Sequence, residues 1–176
     1  MAENRFGGSW TEAKLICLAS YIRSYSDIMK YQRFHRVYID PFSGPGNRTE
    51  IELGIEVLFE NLFEASKDEK PVSPILATEI GKSFDEFFFN DKKSEFIQSL
   101  ESVIKTERPV HYSASEANEF LCEVLSKIDW KKSRAVIFLD PFGLHVDWKT
   151  LESISNTDAV DIVMLFDSKE ELVNIM

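Results

Sequence analysis

The chain has 176 residues and a formal net charge of −10, with 44% hydrophobic and 28% charged residues. This length predicts one domain with its own buried core, and the composition excludes a disordered protein. An acidic balance argues against a protein that coats nucleic acid, although a local basic groove remains compatible with it. Residues 1–10 contain no apolar signal core, and no segment approaches the ~20 apolar residues of a membrane span. The sequence therefore predicts a cytoplasmic protein with no membrane segment.

Cysteine and histidine usage predicts no metal site. Cys17 and Cys122 are the only cysteines, and two isolated cysteines form neither a disulfide framework nor a zinc site. Their apolar neighbours predict buried, inert thiols. His35, His111 and His145 lie far apart and lack the spacing of metal ligands. We expect packed or solvated histidines.

The first half of the chain begins with an amphipathic helix. A capping-box pattern at residues 9–12 precedes apolar residues at helical spacing, namely Leu15, Leu18, Ala19, Ile22, Tyr25 and Met29. A short strand at 37–39 and a glycine-containing turn at 43–46 are predicted next. A second helix follows, with apolar positions between Ile51 and Leu62.

Two further segments complete this half. Residues 75–78 predict a second strand that ends at Glu79, after the prolines at positions 71 and 74. Residues 84–105 predict one or two helices, broken near Asn90 and Asp91, in which Phe87, Phe88 and Phe89 belong to the core rather than to a base-stacking surface.

The second half repeats a strand–helix pattern. Strands are predicted at 109–112, 135–139 and 160–166, with helices at 120–128 and 148–154 and a last helix that begins at Ser168. The segment 135–139 is continuously apolar, which is typical of a central parallel strand covered on both faces.

This alternation predicts an α/β fold. A leading helix and five β–α units favour a Rossmann-like open parallel sheet with helices on both faces. Right-handed connections that reverse between the first and fourth strands give the order 3-2-1-4-5. We expect a single domain over 1–176, made of an N-terminal helical region at 1–35 and a βα core at 36–176.

The candidate site lies where the strands end, because ligands of open parallel sheets bind beyond the carboxyl ends of the strands. Gly44 and Gly46 follow the first strand and allow the backbone to approach a ligand, although a tight turn alone would also explain them. Glu79 at the predicted end of the second strand suits ribose hydroxyls, or is simply a solvated acid.

Two more segments follow the third and fourth strands. Glu116 or Asn118 could contact an adenine edge, and both residues also suit the first turn of a helix. Asp140 closes the apolar run and is followed by Pro141 and Gly143, which indicates a site loop rather than a simple connection.

These motifs resemble those of class I S-adenosylmethionine-dependent methyltransferases. The segment 40–46 is similar to the cofactor loop of amino-group DNA methyltransferases. The segment 140–143, Asp-Pro-Phe-Gly, resembles the Asp-Pro-Pro-Tyr loop of those enzymes and the Asp-Pro-Phe-Gly loop of tRNA guanine-N2 dimethyltransferases. The resemblance implies S-adenosylmethionine as cofactor. It assigns the cofactor to Asp40, Phe42, Gly44, Gly46, Glu79, Glu116 and Asn118, and the substrate amine to Asp140, Pro141 and Phe142.

A resemblance over nearly the whole chain is to the three-Cys-motif partner proteins (TcmP). It is carried by residues 37–44, residues 138–144 and the segment 156–161. That bacterial family is similar to methyltransferases in fold and is encoded beside a small three-cysteine protein in mobile or defence-like cassettes. The resemblance implies a methyltransferase-like fold, and it suggests a three-Cys-motif protein as partner.

Two functions stay open at this stage. The first is a methyltransferase acting on an exocyclic amine of a nucleic acid base or a related small molecule. The second is a catalytically inactive partner subunit that acts by binding another protein. A class I sheet has two further strands and only residues 167–176 follow Phe166, so we expect either a fragment or a shortened member of the family. The fifth strand would then be an apolar edge at 162–166, from which we expect self-association. The Asp-Pro-Phe loop disfavours a third reading, a dehydrogenase-like nucleotide-binding domain.

Overall fold

The computed structural model describes residues 9–45, 73–141 and 146–165. In these ranges the elements, in chain order, are α1 (Ser9–Met29), β1 (His35–Asp40), α2 (Ser73–Ile80), β2 (Glu86–Asn90), α3 (Ser94–Val103), β3 (Val110–Ser113), α4 (Ala117–Lys127), β4 (Ser133–Leu139), α5 (Trp148–Ser155) and β5 (Val160–Met164). The helices predicted at 51–62 and from Ser168 lie outside the described residues. No described helix is long and apolar enough to cross a membrane.

The five strands form one parallel sheet in the order β3-β2-β1-β4-β5, which confirms the predicted α/β fold and strand order. The central strand β1 pairs on both sides, so that Tyr38 lies opposite Phe87 of β2 and Val136 of β4. The chain winds from β1 towards β3 in one direction and from β4 to β5 in the other. In open parallel sheets such a reversal of strand order, here between β1 and β4, is where ligands bind at the carboxyl edge.

The prediction for the second strand was wrong in position. Residues 73–80 form α2, and the strand lies at Glu86–Asn90, inside the segment predicted to be helical. Pro74 lies in the first turn of α2, where the missing N–H of proline costs no hydrogen bond. Thr78 Oγ1 donates back to the carbonyl oxygens of Pro74 and Ile75, each at 3.0 Å. An apolar run of this length does not distinguish a buried strand from a buried helix.

The aromatic run of β2 confirms the prediction that these phenylalanines belong to the core. Phe87 and Phe89 are fully buried, and Phe88 is 9% exposed. Consecutive side chains of a strand point to opposite faces, so only a sheet covered on both faces can bury all three. Phe87 and Phe89 pack with α1, α2 and α3, while Phe88 packs on the face covered by α4 and α5.

Helix α1 buries the apolar face that the sequence predicted. All six residues of that face are buried: Leu15, Leu18, Ala19, Ile22, Tyr25 and Met29. Their contacts with the sheet include a ring cluster in which Phe84 lies between Tyr25 and Tyr38, with centroid separations of 5.4 and 5.5 Å. Aromatic pairs at these separations add to the free energy gained by burial alone.

The cysteine prediction was wrong. Cys17 and Cys122 are both free and exposed. Their chain neighbours Leu18 and Leu121 are fully buried, because each cysteine lies just outside the apolar stripe of its helix. Apolar neighbours in sequence therefore did not indicate burial here.

The Tyr38 hydroxyl provides a test of the core. Tyr38 is fully buried, and its hydroxyl has no hydrogen-bond partner among the described residues. An orphaned buried hydroxyl costs roughly 1–3 kcal/mol. We expect Tyr38→Phe to raise the free energy of unfolding in urea by about 1 kcal/mol or more, since the ring is kept and only the orphaned group is removed.

Tyr21→Phe is the matched control. The Tyr21 hydroxyl donates to Asp161 Oδ2 at 2.8 Å, so removing it should leave stability unchanged or lower it. A Tyr38→Phe variant less stable than the wild type would show that this hydroxyl is satisfied in solution.

Candidate functional site

Polar side chains stand at the carboxyl ends of four neighbouring strands. Asp40 is the last residue of β1, Asn90 the last of β2 and Ser113 the last of β3. Asp140 directly follows the last residue of β4. The fold thus brings these residues to one edge of the sheet, where an open parallel sheet binds its ligands.

Asn90 connects three of these strand ends. Its side-chain amide nitrogen donates to the carbonyl oxygens of Pro41 and Ser115, each at 3.1 Å. Its side-chain oxygen accepts from the backbone N–H of Ser115 at 3.0 Å and from Ser115 Oγ at 3.1 Å. An asparagine amide has two donors and two acceptor positions, so this buried group is fully satisfied.

The loop after β1 is held against the end of β2. Ser43 donates to the Asn90 carbonyl oxygen from its N–H at 2.9 Å and from its hydroxyl at 2.8 Å. Gly44 has a φ of +67°, a left-handed conformation that glycine adopts without strain. A Cβ added at Gly44 would meet no atom of the described residues within 4 Å, so these residues leave the backbone of the loop open here.

Asp91 is a candidate binding residue that the sequence analysis missed. It directly follows β2, and its Oδ2 accepts a hydrogen bond from the Gly44 N–H at 3.2 Å. This is the position expected of the acidic residue that binds ribose hydroxyls. The signal was present in the sequence as an aromatic run closed by Asn-Asp, but the segment was assigned to a helix.

Glu79 does not occupy the predicted place. It is an exposed residue near the end of α2, not the residue that closes a strand. The premise of its ribose-binding role was the strand at 75–78, which is absent from the described sheet because residues 73–80 are helical. Asp91 stands where Glu79 was expected.

Asp40 is a fully buried carboxyl group. Burial raises its pKa to about 7, and the nearby charges of Asp140 and Asp91 act in the same direction. Hydrogen bonds from Ser73 Oγ at 2.6 Å and from the Phe42 N–H at 3.1 Å oppose this rise. Asp40 therefore titrates near neutral pH at the centre of the edge.

Asp140 forms an ion pair with a residue that the sequence analysis had not selected. Lys14 of α1 places its Nζ 2.8 Å from Asp140 Oδ1, and the two side chains are 20% and 32% exposed. The pair joins residues 126 positions apart in the chain. It brings a cation from the leading helix to the acidic edge.

Glu116 and Asn118 have structural contacts at the start of α4. Glu116 caps the helix by accepting from the Asn118 N–H at 2.9 Å. Asn118 Oδ1 accepts from the Asp147 N–H and from Thr150 Oγ1, both at 2.9 Å, and so ties α4 to the start of α5. These bonds are those expected if Glu116 and Asn118 serve the first turn of the helix. The adenine contact stays a prediction.

The remaining predicted site residues are placed less fully. Phe42 is half-buried and packs on the face covered by α4 and α5, and Pro141, which follows Asp140 in the chain, is also half-buried. Gly46 and Phe142 lie outside the described residues, as does His145.

A second polar cluster lies at the opposite edge of the sheet. His35 Nε2 lies 2.8 Å from Glu86 Oε2, and His111 Nε2 lies 2.6 Å from Glu86 Oε1. Partial burial raises the pKa of Glu86, but the two histidine contacts outweigh it and hold the pKa below its usual range. Two histidines distant in sequence thus share one carboxylate, on a cleft of about 550 Å³. No His, Cys, Asp and Glu group within the described ranges could hold a metal ion.

Comparisons with known proteins show the fold. No family model matches this sequence, and no curated protein matches it. A crystal structure of a Legionella pneumophila (strain Philadelphia 1) protein of family DUF519 is similar, with a TM-score of 0.58 and 13% identity. The match covers 86% of this chain and 63% of that protein, so this chain spans less than two thirds of its length. A likeness at this identity concerns the architecture alone.

The Asn90 amide offers a stability test of the site. Asn90→Ala removes all four side-chain hydrogen bonds and leaves buried partners unpaired. We expect it to lower the free energy of unfolding by roughly 3–5 kcal/mol in urea titrations. Asn156→Ala, at an exposed position after α5, should change it little. Equal stabilities of the two variants would contradict the role given to Asn90.

The Asp40 carboxyl predicts a pH dependence of stability. Its pKa in the folded chain, about 7, lies above the ordinary aspartic acid value of 3.8. Its contribution to stability is thus fully present below about pH 4 and is lost as the pH rises through about 7. We expect the free energy of unfolding of the wild type, measured in urea titrations, to fall by roughly 2–4 kcal/mol more between pH 5 and pH 8 than that of Asp40→Asn.

Asp27→Asn is the control for this titration. Asp27 is an exposed acid on α1. The free energy of unfolding of Asp27→Asn should therefore change between the two pH values as that of the wild type does. Parallel pH profiles of Asp40→Asn and the wild type would show that Asp40 does not titrate in this range.

Proposed function

We propose that this chain is a methyltransferase-like domain that binds S-adenosylmethionine at the carboxyl edge of its sheet. The substrate we propose is an exocyclic amine on a nucleic acid base or on a related small molecule. We also propose membership of the three-Cys-motif partner proteins, on the resemblance of segments 37–44 and 138–144.

One observation carries this proposal. The glycine loop after β1 and the acid after β2 touch, through the hydrogen bond from the Gly44 N–H to Asp91 Oδ2. A glycine turn beside an acidic residue on the neighbouring strand is how an open parallel sheet holds the ribose side of a nucleoside cofactor. The edge between β1 and β4 is also the point where the strand order reverses.

The residues present fit this cofactor. None of the described residues crowds Gly44, so among them a ligand can approach the loop backbone. Each carboxylate oxygen of Asp91 accepts one backbone N–H, from Gly44 or Lys93, and keeps a second acceptor position for a ribose hydroxyl. The acidic groups at this edge favour a ligand that carries positive charge. Asp40 is fully buried, so we assign it a charge effect or a water-mediated contact rather than direct binding. When bound, S-adenosylmethionine supplies a methyl group on a cationic sulfonium.

The chain's own contribution to methyl transfer would be positioning. Asp140 and the carbonyl group of Pro141 would accept hydrogen bonds from the substrate amine and orient its lone pair. Phe142 would stack on a flat base. These roles follow from the resemblance of the loop at 140–143 and from the place of Asp140 at the end of the apolar strand β4.

A second candidate function is a catalytically inactive partner subunit. It is favoured by β5, which is an edge of the described sheet, with Ile162 41% exposed. An edge strand with exposed apolar side chains can pair with another chain. The partner would be a three-Cys-motif protein or a second copy of this chain.

Calorimetric titration with S-adenosylmethionine separates the two functions. Saturable binding to the folded chain supports the methyltransferase, and its absence supports the inactive subunit. For the methyltransferase we expect Asp91→Asn to weaken binding by about 10-fold or more, since a charged hydrogen-bond acceptor is worth roughly 1.5–3 kcal/mol.

Glu79→Gln is the matched control, because Glu79 is an acid nearby in sequence but exposed on α2. Its affinity for S-adenosylmethionine should equal that of the wild type. Weakening by Glu79→Gln but not by Asp91→Asn would overturn the assignment of the ribose site to the end of β2.

A further inference from the structure

The ion pair between Lys14 and Asp140 links α1 to the carboxyl edge of the sheet, and it also resembles the contact of a bound amine. The Lys14 ammonium donates to Asp140 Oδ1 at 2.8 Å. It is the same kind of contact that a substrate amine would make with this carboxylate: an N–H donor on nitrogen against a carboxylate oxygen. We propose that Asp140 forms an amine-binding position and that Lys14 fills this position while no substrate is present.

The charges at the edge explain why such an occupant is needed. Asp140 lies near the buried Asp40, whose pKa is raised first by burial and further by the negative charges of Asp140 and Asp91. Without the Lys14 ammonium, Asp140 would lose its ion-pair partner among the described residues while lying close to a second acidic group, which is costly in a half-buried setting. The Lys14 ammonium offsets one of these charges through a charge-assisted hydrogen bond.

The geometry also allows exchange. Asp140 is 32% exposed and Lys14 20% exposed, so the pair is neither sealed in the core nor free in solvent. A lysine has a long flexible stem and can withdraw its ammonium group without moving the helix backbone. Because an ammonium has no lone pair, Lys14 in this place cannot itself accept a methyl group. It acts through Asp140 and is a positioning residue.

This inference rests on the proposed function in one respect, because a substrate amine would displace Lys14 only if the chain acts on an amine. The amine-binding position can nevertheless be tested without a cofactor. Lys14→Ala removes the side chain and leaves Asp140 without this partner. Ethylammonium chloride supplies the lost group from solution, whereas tetramethylammonium chloride supplies the same charge with no N–H donor.

The first measurement is the melting temperature at constant ionic strength. We expect ethylammonium to raise the melting temperature of Lys14→Ala by about 2–4 °C and to leave that of the wild type unchanged, because Lys14 already fills the position. Tetramethylammonium should raise neither. Lys30→Ala is the control, since it removes an ammonium from the exposed Asp27 at the far end of α1 and should not respond.

Two results would overturn the proposal. One is an equal response of the wild type and Lys14→Ala to ethylammonium, and the other is an equal effect of the two salts on Lys14→Ala. If Lys14→Ala fails to fold, refolding in ethylammonium but not in tetramethylammonium supports the position, and failure in both overturns it.

The second measurement compares two ligands that differ in one charge. S-adenosylmethionine carries a cationic sulfonium, and S-adenosylhomocysteine has a neutral sulfur. In Lys14→Ala, the affinity for S-adenosylmethionine relative to that for S-adenosylhomocysteine should increase by about 3- to 10-fold at low salt, and less at high salt. Lys14→Arg, which keeps the charge, should retain the wild-type preference, and ethylammonium should restore it in Lys14→Ala.

The two measurements separate the two proposals. Rescue of the melting temperature with no binding of either ligand supports the amine position and overturns the proposed function. Binding of S-adenosylmethionine with a ligand preference that is unchanged in Lys14→Ala, and without rescue, supports the proposed function and overturns the role of Lys14.

Discussion

The side-chain amide of Asn90 is the interaction on which the carboxyl edge depends. A parallel sheet leaves its strand ends as separate loops, because each strand is connected to the next through a helix on one face of the sheet. Asn90 joins the loops after β1 and β3 to the end of β2 through four hydrogen bonds from one buried group. With every donor and acceptor satisfied, the amide holds these loops at low cost, and the Gly44 turn takes its place against Asp91 as a result.

The charges at this edge follow from that architecture. Asp40 closes a strand paired on both sides, so its carboxyl group is buried and its pKa is raised. Asp91 and Asp140 directly follow the strands on either side of β1 and add negative charge to the same place. Lys14 reaches the edge from a helix that packs on one face of the sheet. An acidic edge with a lysine partner suits a cationic ligand better than an anionic phosphate.

Sequence patterns predicted most of the fold because its elements have strong periodic signals. The apolar stripe of α1 and the continuous apolar run of β4 allow only one interpretation each. The predicted position of the second strand was wrong because residues 75–78 and 87–89 are both short apolar runs. Periodicity does not distinguish a strand from a helix in runs of this length. Packing decided between them, since only the run at 87–89 lies between β1 and β3, with both faces covered.

By itself the sequence determined the order of the strands, the burial of α1 and the presence of Asp40, Gly44 and Asp140 at the ends of strands, because these depend on local periodicity and on the handedness of connections. Tertiary structure alone decided that Asp91, rather than Glu79, stands beside Gly44. It also decided that Lys14 meets Asp140 and that two histidines share Glu86. Such pairs join residues distant in the chain, and their distances are set by packing and register, which no local pattern encodes.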